Sequence, residues 1–208
     1  MRHERHERAR GVSFTRAELK SFTGATLPDL IADGVRLLFV GINPGLRSVA
    51  VQGHFAPRGN RFYPALLRAG ITDHLIDASA GLAPGDRDYL LGRGVGITSL
   101  VGRATASAGE LGPAELAEGA RTLTGKIRRF GPRVVAILGV TAYRAAFGSP
   151  RAVVGRQPGD LDGAQLWVVP NPSGRNAHAP LDALAAAYRE VAVEAGVPVR
   201  STKRGKTQ

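Results

Sequence analysis

The sequence predicts an α/β protein, in the form of a three-layer α/β/α sandwich with a mainly parallel central sheet. Segments with helical spacing of apolar residues alternate with four short apolar runs, at 36–40, 95–101, 133–138 and 165–169. Runs of this kind are typical of strands that are buried on both faces. The first and last runs are each followed at once by a polar, glycine-containing loop, GINPG and NPSGRN. Because parallel strands end at a common edge, we expect both loops at the edge where open α/β sheets bind ligands.

Length and composition favour one packed domain with basic ends. The chain has 208 residues, of which 43% are hydrophobic. We expect a single domain over 13–195, between disordered basic tails at 1–12 and 196–208. The formal net charge of +11 favours a polyanionic partner, since lysine and arginine contacts to phosphates release counterions. A basic protein that merely carries charged tails is the alternative.

The residue types that are missing exclude several classes of site. The chain has no cysteine, which excludes disulfides and thiolate metal sites. No apolar run reaches membrane-spanning length, and no apolar core follows the charged N-terminus. We therefore expect a cytoplasmic protein that has no secretory signal and does not contact a membrane.

The elements of the first half follow from apolar spacing and from glycine and proline positions. The chain from 14 to 31 predicts one or two short helices, broken at Gly24 and Pro28. After the first strand, helical segments are predicted at 60–69, 73–80 and 86–91, and they are followed by the strand at 95–101. The small polar stretch 102–108 is predicted to be a surface loop.

The second half continues the alternation. The clearest helix is 113–130, because Pro113 suits its first turn, apolar residues form one stripe, and Gly131 ends it. The strand at 133–138 is followed by a helix at 141–147, then by the strand at 165–169 and a closing helix at 181–193.

The loop Gly41-Ile42-Asn43-Pro44-Gly45 is the first candidate for chemistry. It lacks the Gly-Lys-Ser/Thr ending of a phosphate loop, and the chain contains no dinucleotide fingerprint, GxSxG or HExxH motif. The amide of Asn43 can hold a water or donate to a carbonyl, although it cannot take a proton from water. A structural turn residue is the alternative interpretation.

Two further stretches could accompany Asn43. Phe55 offers a flat surface for stacking, or it is an ordinary core residue. The second loop, NPSGRN, offers main-chain donors, and its Arg175 can reach a phosphate or a base. Gly174 in that loop could equally be a plain turn glycine.

Five segments, taken together, resemble the mismatch-specific uracil DNA glycosylases: GINPGLRS, HFAPRGNRFY, GITSLVGRAT, VVAILGVTAY and WVVPNPSGRN. They agree in order and spacing from about Gly34 to about Ala195. With the eukaryotic thymine-DNA glycosylases, these enzymes form one branch of the uracil-DNA glycosylase superfamily. The resemblance implies base excision repair by a monofunctional, monomeric glycosylase that needs no metal or organic cofactor. Its expected partner is double-stranded DNA with a G·U mismatch or a damaged pyrimidine such as ethenocytosine.

The resemblance also implies roles for individual residues. Asn43 matches the catalytic asparagine that positions the attacking water below the sugar C1′. Ile42 and the main chain of Phe55 match positions that bind the pyrimidine edge, and the Phe55 ring matches the aromatic residue that stacks on the flipped base. Ser48 falls at the C5 side of that base. The loop that enters the minor groove is matched by 171–176, with contacts expected from Asn171, Ser173, Gly174, Arg175 and Asn176.

The chain departs from the bacterial type member at a few of these positions. Arg175 stands where that protein has leucine, and Asn176 and Ala177 stand where it has serine and arginine, so the preference for the opposite base is open. Ser99 stands in place of a lysine. A non-catalytic lesion-binding module on the same fold is the main alternative function, and an enzyme acting on free nucleotides is a weaker one.

Overall fold

The computed structural model describes residues 13–174 and 179–200. The predictions for the tails at 1–12 and 201–208, and for Arg175 and Asn176, lie outside the described residues. Within the described part of the chain, no helix is both long and apolar enough to span a bilayer.

A five-stranded sheet forms the centre of the protein, in the order β2-β1-β3-β5-β4. All four predicted strands are found, and each begins and ends within two residues of the prediction. The strands are β1 (Leu37–Gly41), β2 (Val95–Ser99), β3 (Val134–Leu138), β4 (Gly155–Leu161) and β5 (Ala164–Val169). All neighbouring pairs are parallel except β4 and β5, so the predicted mainly parallel sheet is confirmed.

Helices cover both faces of this sheet. In chain order they are α1 (Arg16–Ser21), α2 (Leu46–Ala50), α3 (Phe62–Arg68), α4 (Pro84–Gly92), α5 (Pro113–Phe130), α6 (Val140–Phe147) and α7 (Leu181–Glu194), with a 3₁₀ helix at Ala108–Glu110. The predicted ends of α5 are confirmed: Pro113 is in its first turn, and Gly131 ends it with a left-handed φ of 57°.

Side chains of β1 alternate between the two helical layers, as the pleat of a strand requires. The ring of Phe39 packs against Phe62 of α3 at 5.2 Å and against Tyr188 of α7 at 5.1 Å. Leu38 faces the other way, into the cluster that contains Leu123 of α5. The three-layer α/β/α sandwich is therefore confirmed.

The prediction of a helix at 73–80 is wrong. Ile76 and Ala78 are buried two residues apart, whereas Leu75 is 56% exposed, which is the spacing of extended chain rather than of a helix. The carboxylate of Asp77 accepts a hydrogen bond from the main chain of Ser79 at 2.9 Å. This local turn competes with helical hydrogen bonding.

The strand β4 was not among the predicted elements. Its sequence, GRQPGDL, combines glycine, proline and charged residues, which rarely form strands away from an edge. It pairs with β5 alone and is joined to it by Asp162 and Gly163, which have φ angles of 53° and 85°. The Asp-Gly pair is a common hairpin signal, so the sequence did hold a clue to this strand.

Of the one or two short helices expected over 14–31, one is found, α1; farther on, Leu30 pairs in isolation with Ile97. One other boundary differs from the prediction. At the other end, residues 196–200 pack on the domain although they were assigned to the basic tail: Val197 is buried, and the main-chain N–H of Arg200 donates to Gly70 at 2.9 Å.

Candidate active site at the carboxyl edge of the sheet

The carboxyl ends of the parallel strands surround a cavity of about 600 Å³. Because β1, β2, β3 and β5 run in the same direction, the loops that follow them meet at this edge. Every predicted site residue within the described chain lines the cavity: Ile42, Asn43, Ser48, Phe55, Asn171, Ser173 and Gly174. The structure thus brings together residues from two loops that are far apart in sequence.

The GINPG loop is held from one side by the chain that follows β2. Main-chain N–H groups of Leu100 and Val101 donate to the carbonyls of Gly41 and Ile42 at 2.9 and 3.0 Å. The short helix α2 begins directly after Gly45 and carries Ser48, which is buried, into the cavity wall. These contacts keep Asn43 at the strand end, although it lies outside any helix or strand.

The side-chain amide of Asn43 faces the cavity in a defined orientation. Its nitrogen donates to the carbonyl of Arg103 at 3.0 Å and to the hydroxyl of Thr105 at 2.8 Å. That hydroxyl gives its own hydrogen to the carbonyl of Ser107 at 2.8 Å, so it can only accept from Asn43. Since both neighbours of the amide nitrogen are acceptors, the Oδ1 atom must point away from them. A fixed acceptor of this kind can hold a water.

The stretch 102–108 was predicted to be a surface loop, and it is partly buried. Ala104 and Thr105 have exposures of 0% and 2%. Thr105 was not among the predicted site residues. Its small, polar neighbours show no periodic spacing of apolar residues that would predict a buried position. Its contact with Asn43 is visible only in the folded structure.

Phe55 is held against the core on one side. Its ring stacks on that of Phe62, with centroids 4.1 Å apart and planes 28° from parallel, while its side chain also lines the cavity. The backbone of Phe55 has a φ of 55°, a left-handed conformation that is unfavourable by about 1–2 kcal/mol for a residue with a Cβ. The surrounding contacts therefore hold this ring in place at the edge of the cavity.

His54 is a buried ring in the same wall that was not assigned a role. Its Nε2 atom lies 3.0 Å from the carbonyl oxygen of Pro28, which can only accept, so Nε2 carries the hydrogen and Nδ1 is an acceptor. Burial lowers the pKa of His54 to about 4, and the hydrogen bond to Pro28 opposes this only in part. The ring is therefore neutral at physiological pH.

An ion pair supports the chain behind His54. Lys126 Nζ of α5 lies 2.6 Å from Asp29 Oδ2 and donates to the hydroxyl of Thr98 at 2.8 Å. That hydroxyl in turn donates to Asp29 Oδ1 at 2.6 Å. The three groups join the segment around Pro28 to β2 and α5, and so they stiffen the rear of the cavity.

The second loop approaches the cavity from the end of β5. Asn171 Oδ1 accepts a hydrogen bond from the main chain of Ser173 at 2.9 Å, which closes a local turn. A Cβ atom on Gly174 would lie 2.8 Å from the carbonyl oxygen of Gly59. Gly174 is therefore required by this close approach of two backbones, which goes beyond the role of a turn glycine.

Among residues 13–174 and 179–200, no group of three or more histidine, aspartate or glutamate side chains is arranged to hold a metal ion. The side chains and main chain that line the cavity supply an oriented amide, hydroxyls, main-chain groups, aromatic surface and the neutral imidazole of His54.

Two comparisons agree with this geometry. A sequence model of the uracil DNA glycosylase superfamily matches residues 28–192. The fold is similar to a solution NMR structure from Methanosarcina acetivorans that was described as a candidate uracil DNA glycosylase, with 15% identity and a TM-score of 0.51 over 80% of this chain and 96% of that one. At that identity the structural likeness shows the fold alone, whereas the sequence match spans most of the chain and both loops. The chain therefore belongs to the uracil DNA glycosylase superfamily.

Proposed function

We propose that this protein is a monofunctional DNA glycosylase of the mismatch-specific branch, which removes uracil from double-stranded DNA and acts best on G·U pairs. The observation that carries the proposal is the oriented amide of Asn43, whose nitrogen is bound by Arg103 and Thr105. This leaves Oδ1 to hold a water in a cavity that also contains Phe55. Superfamily membership makes glycosylase chemistry the natural use of such a site.

In the proposed reaction the uracil nucleotide first rotates out of the duplex into the cavity. Unstacking requires a few kcal/mol, and less for a mismatched base, which favours G·U over a Watson–Crick pair. Phe62 covers one face of the Phe55 ring, and the ring also borders the cavity, so its remaining surface can stack on the base. Base–aromatic stacking contributes about 1–3 kcal/mol.

Hydrolysis then needs an oriented water more than a base. The water held by Asn43 adds its oxygen to C1′ as the C1′–N1 bond breaks, and the bonding electron pair leaves with the pyrimidine as an anion. Main-chain N–H groups near Ile42 and Phe55, directed at the uracil oxygens, would stabilise that anion as it forms. The water's proton passes to solvent or to the departing base. Because an amide cannot accept it, we expect slower chemistry than with a carboxylate at this position.

The position of the second loop fits a role in the minor groove. Ser173 and Gly174 line the cavity beside Gly59 and Asn60. Gly174 and Arg175 would fill the space that the flipped base leaves. Which opposite base is preferred depends on the same loop and on Arg175. Ser48 and Ser99 both line the pocket. Ser48 would meet the C5 side of the base, and Ser99 would alter the local phosphate contact.

The test is single-turnover excision on a labelled duplex with one G·U pair, using excess protein. Wild type should give an alkali-sensitive break at the uracil, and Asn43→Ala should abolish the break while DNA binding remains. Duplexes with A·U, G·T or ethenocytosine, and single-stranded uracil, establish the substrate class. Equal activity of Asn43→Ala would remove the proposed mechanism. Tight G·U binding with no cleavage of any substrate would instead support a lesion-binding module.

A further inference from the structure

The geometry points to Arg61 as a positioning residue that holds the second loop beside the cavity and thereby supports opening of the duplex. This inference rests on the proposed function, because it concerns how the same site gains access to a paired base. Arg61 lies in the turn before α3 and is half-buried. Its guanidinium binds main-chain carbonyls of distant residues, whereas a surface arginine extends into solvent.

Among the described residues, three nitrogen atoms of Arg61 donate to main-chain carbonyls in the second loop and just beyond it. Its Nη2 atom donates to the carbonyl of Ser173 at 2.9 Å, and its main-chain N–H donates to the carbonyl of Pro172 at 2.9 Å. Its Nη1 atom donates to the carbonyl of Ala179. One guanidinium thus joins the chain on both sides of residues 175–178. It therefore bridges Ser173, next to the described end Gly174, and Ala179, where the described chain resumes.

The chemistry of this contact requires arginine. A guanidinium is planar and presents several donors in a rigid fork, so that it can bind two carbonyls at once. The donor is charged, and hydrogen bonds of this kind are stronger than neutral ones. Lysine offers a single ammonium on a flexible stem, which cannot hold both ends in the same geometry.

The position of Arg61 couples the loop to the stacking aromatic residue. Phe62, which follows Arg61, stacks on Phe55. Gly59, two residues before Arg61, closely approaches Gly174. One short segment therefore sets the location of both the Phe55 ring and the loop. A loop that is to fill the space left by a base must stand at a set distance from the pocket that receives the base.

This coupling matters only when a base has to leave a stack. In a duplex, the second loop must be in place as the uracil rotates out, whereas an unstacked uracil can enter the cavity without it. Loss of the Arg61 contacts should therefore slow opening and excision in a G·U duplex. It should affect excision from an open bubble much less, since the amide of Asn43 is hydrogen-bonded to Arg103 and Thr105 and not to Arg61 or to the described loop residues 171–174.

The experiment compares Arg61→Gln and Arg61→Lys with Arg68→Gln. Arg68 lies on α3 and forms an exposed ion pair with Asp182, so it is a matched control that removes the same charge. Opening is followed by stopped-flow fluorescence of 2-aminopurine placed next to the uracil of a G·U pair. Excision is followed in the same duplex and in a duplex whose uracil lies in a bubble of three mismatches. Thermal unfolding of each variant checks that it is folded.

The expected result is that both Arg61 variants open and excise G·U about tenfold more slowly, while bubble excision changes by less than about twofold and Arg68→Gln matches wild type. An equal loss on duplex and bubble would show a general defect of the site and overturn the inference, as would unchanged opening in both Arg61 variants. The fluorescence measurement decides this without cleavage. If wild type cleaves no substrate, the proposed function fails; if wild type is active and Arg61→Gln behaves like it, only this inference fails.

Discussion

The amide nitrogen of Asn43 lies 2.8 Å from the hydroxyl oxygen of Thr105, and the direction of that hydrogen bond determines which amide atom faces the cavity. The hydroxyl hydrogen is already given to Ser107, so Thr105 accepts and Asn43 donates. The loop after β1 is thereby oriented by the loop after β2. This contact has a direct consequence for a mechanism that depends on an oriented water.

Replacing Thr105 with valine should reduce single-turnover excision of G·U by about tenfold, because the amide keeps only its bond to Arg103 and can turn. Valine has the same shape as threonine but cannot accept a hydrogen bond. Thr105→Ser retains the hydroxyl and should stay within about threefold of wild type. Wild-type rates in the valine variant would show that the contact does not orient the amide.

Phe55→Ala should weaken excision by about 1–3 kcal/mol in the activation free energy, since the flipped base loses its aromatic partner. Phe55→Tyr keeps the ring and should retain most of the rate. The measurement is single-turnover excision across a range of protein concentrations, which separates weaker binding from a slower chemical step. If alanine and tyrosine behave alike, the base does not stack on this side chain.

Gly174→Ala should displace the second loop, because the new methyl group would lie 2.8 Å from the carbonyl oxygen of Gly59. We expect slower excision of G·U in duplex DNA and a loss of about 1–3 kcal/mol in the free energy of unfolding. Gly102→Ala is the control, since a Cβ there meets no atom within 4 Å. Comparable effects of the two substitutions would argue against a specific close approach at Gly174.

Stability should fall in acid because of His54. In an unfolded chain this imidazole protonates near its usual pKa of 6.5, whereas in the folded protein it does so only near 4. The unfolded state therefore binds the proton first, and the contribution to stability is complete above about pH 6.5 and is lost as the pH falls toward 4. His54 contributes about 3 kcal/mol to the free energy of unfolding in this way.

His54→Gln offers the matching measurement. Glutamine can still donate to the carbonyl of Pro28, but it does not titrate. The free energy of unfolding is measured with urea at about pH 7.5 and about pH 4.5. Between these pH values it should fall less in this variant than in wild type, by about 2–3 kcal/mol. An equal loss in both proteins would assign the acid sensitivity to other groups.

Much of the fold could be predicted because its strands are buried on both faces. A strand such as β3, VVAIL, is completely apolar, and α5 has proline and glycine at its ends. The edge strand β4 was missed for the opposite reason, since it is mostly exposed and contains proline and glycine. At 73–80 the spacing of apolar residues suggested a helix. The chain instead forms a local turn, in which the carboxylate of Asp77 accepts a hydrogen bond from the main chain of Ser79.

The sequence by itself determined the alternation of strands and helices, and with it the meeting of the GINPG and NPSGRN loops at one edge of the sheet. It also carried the match to the uracil DNA glycosylase superfamily, which covers residues 28–192. Only the tertiary structure decided that Thr105 orients Asn43, that Phe62 backs Phe55, and that Arg61 joins Ser173 to Ala179. These contacts connect distant segments across space. Their direction depends on which donors and acceptors the folded chain places within hydrogen-bond distance, and no local pattern records that.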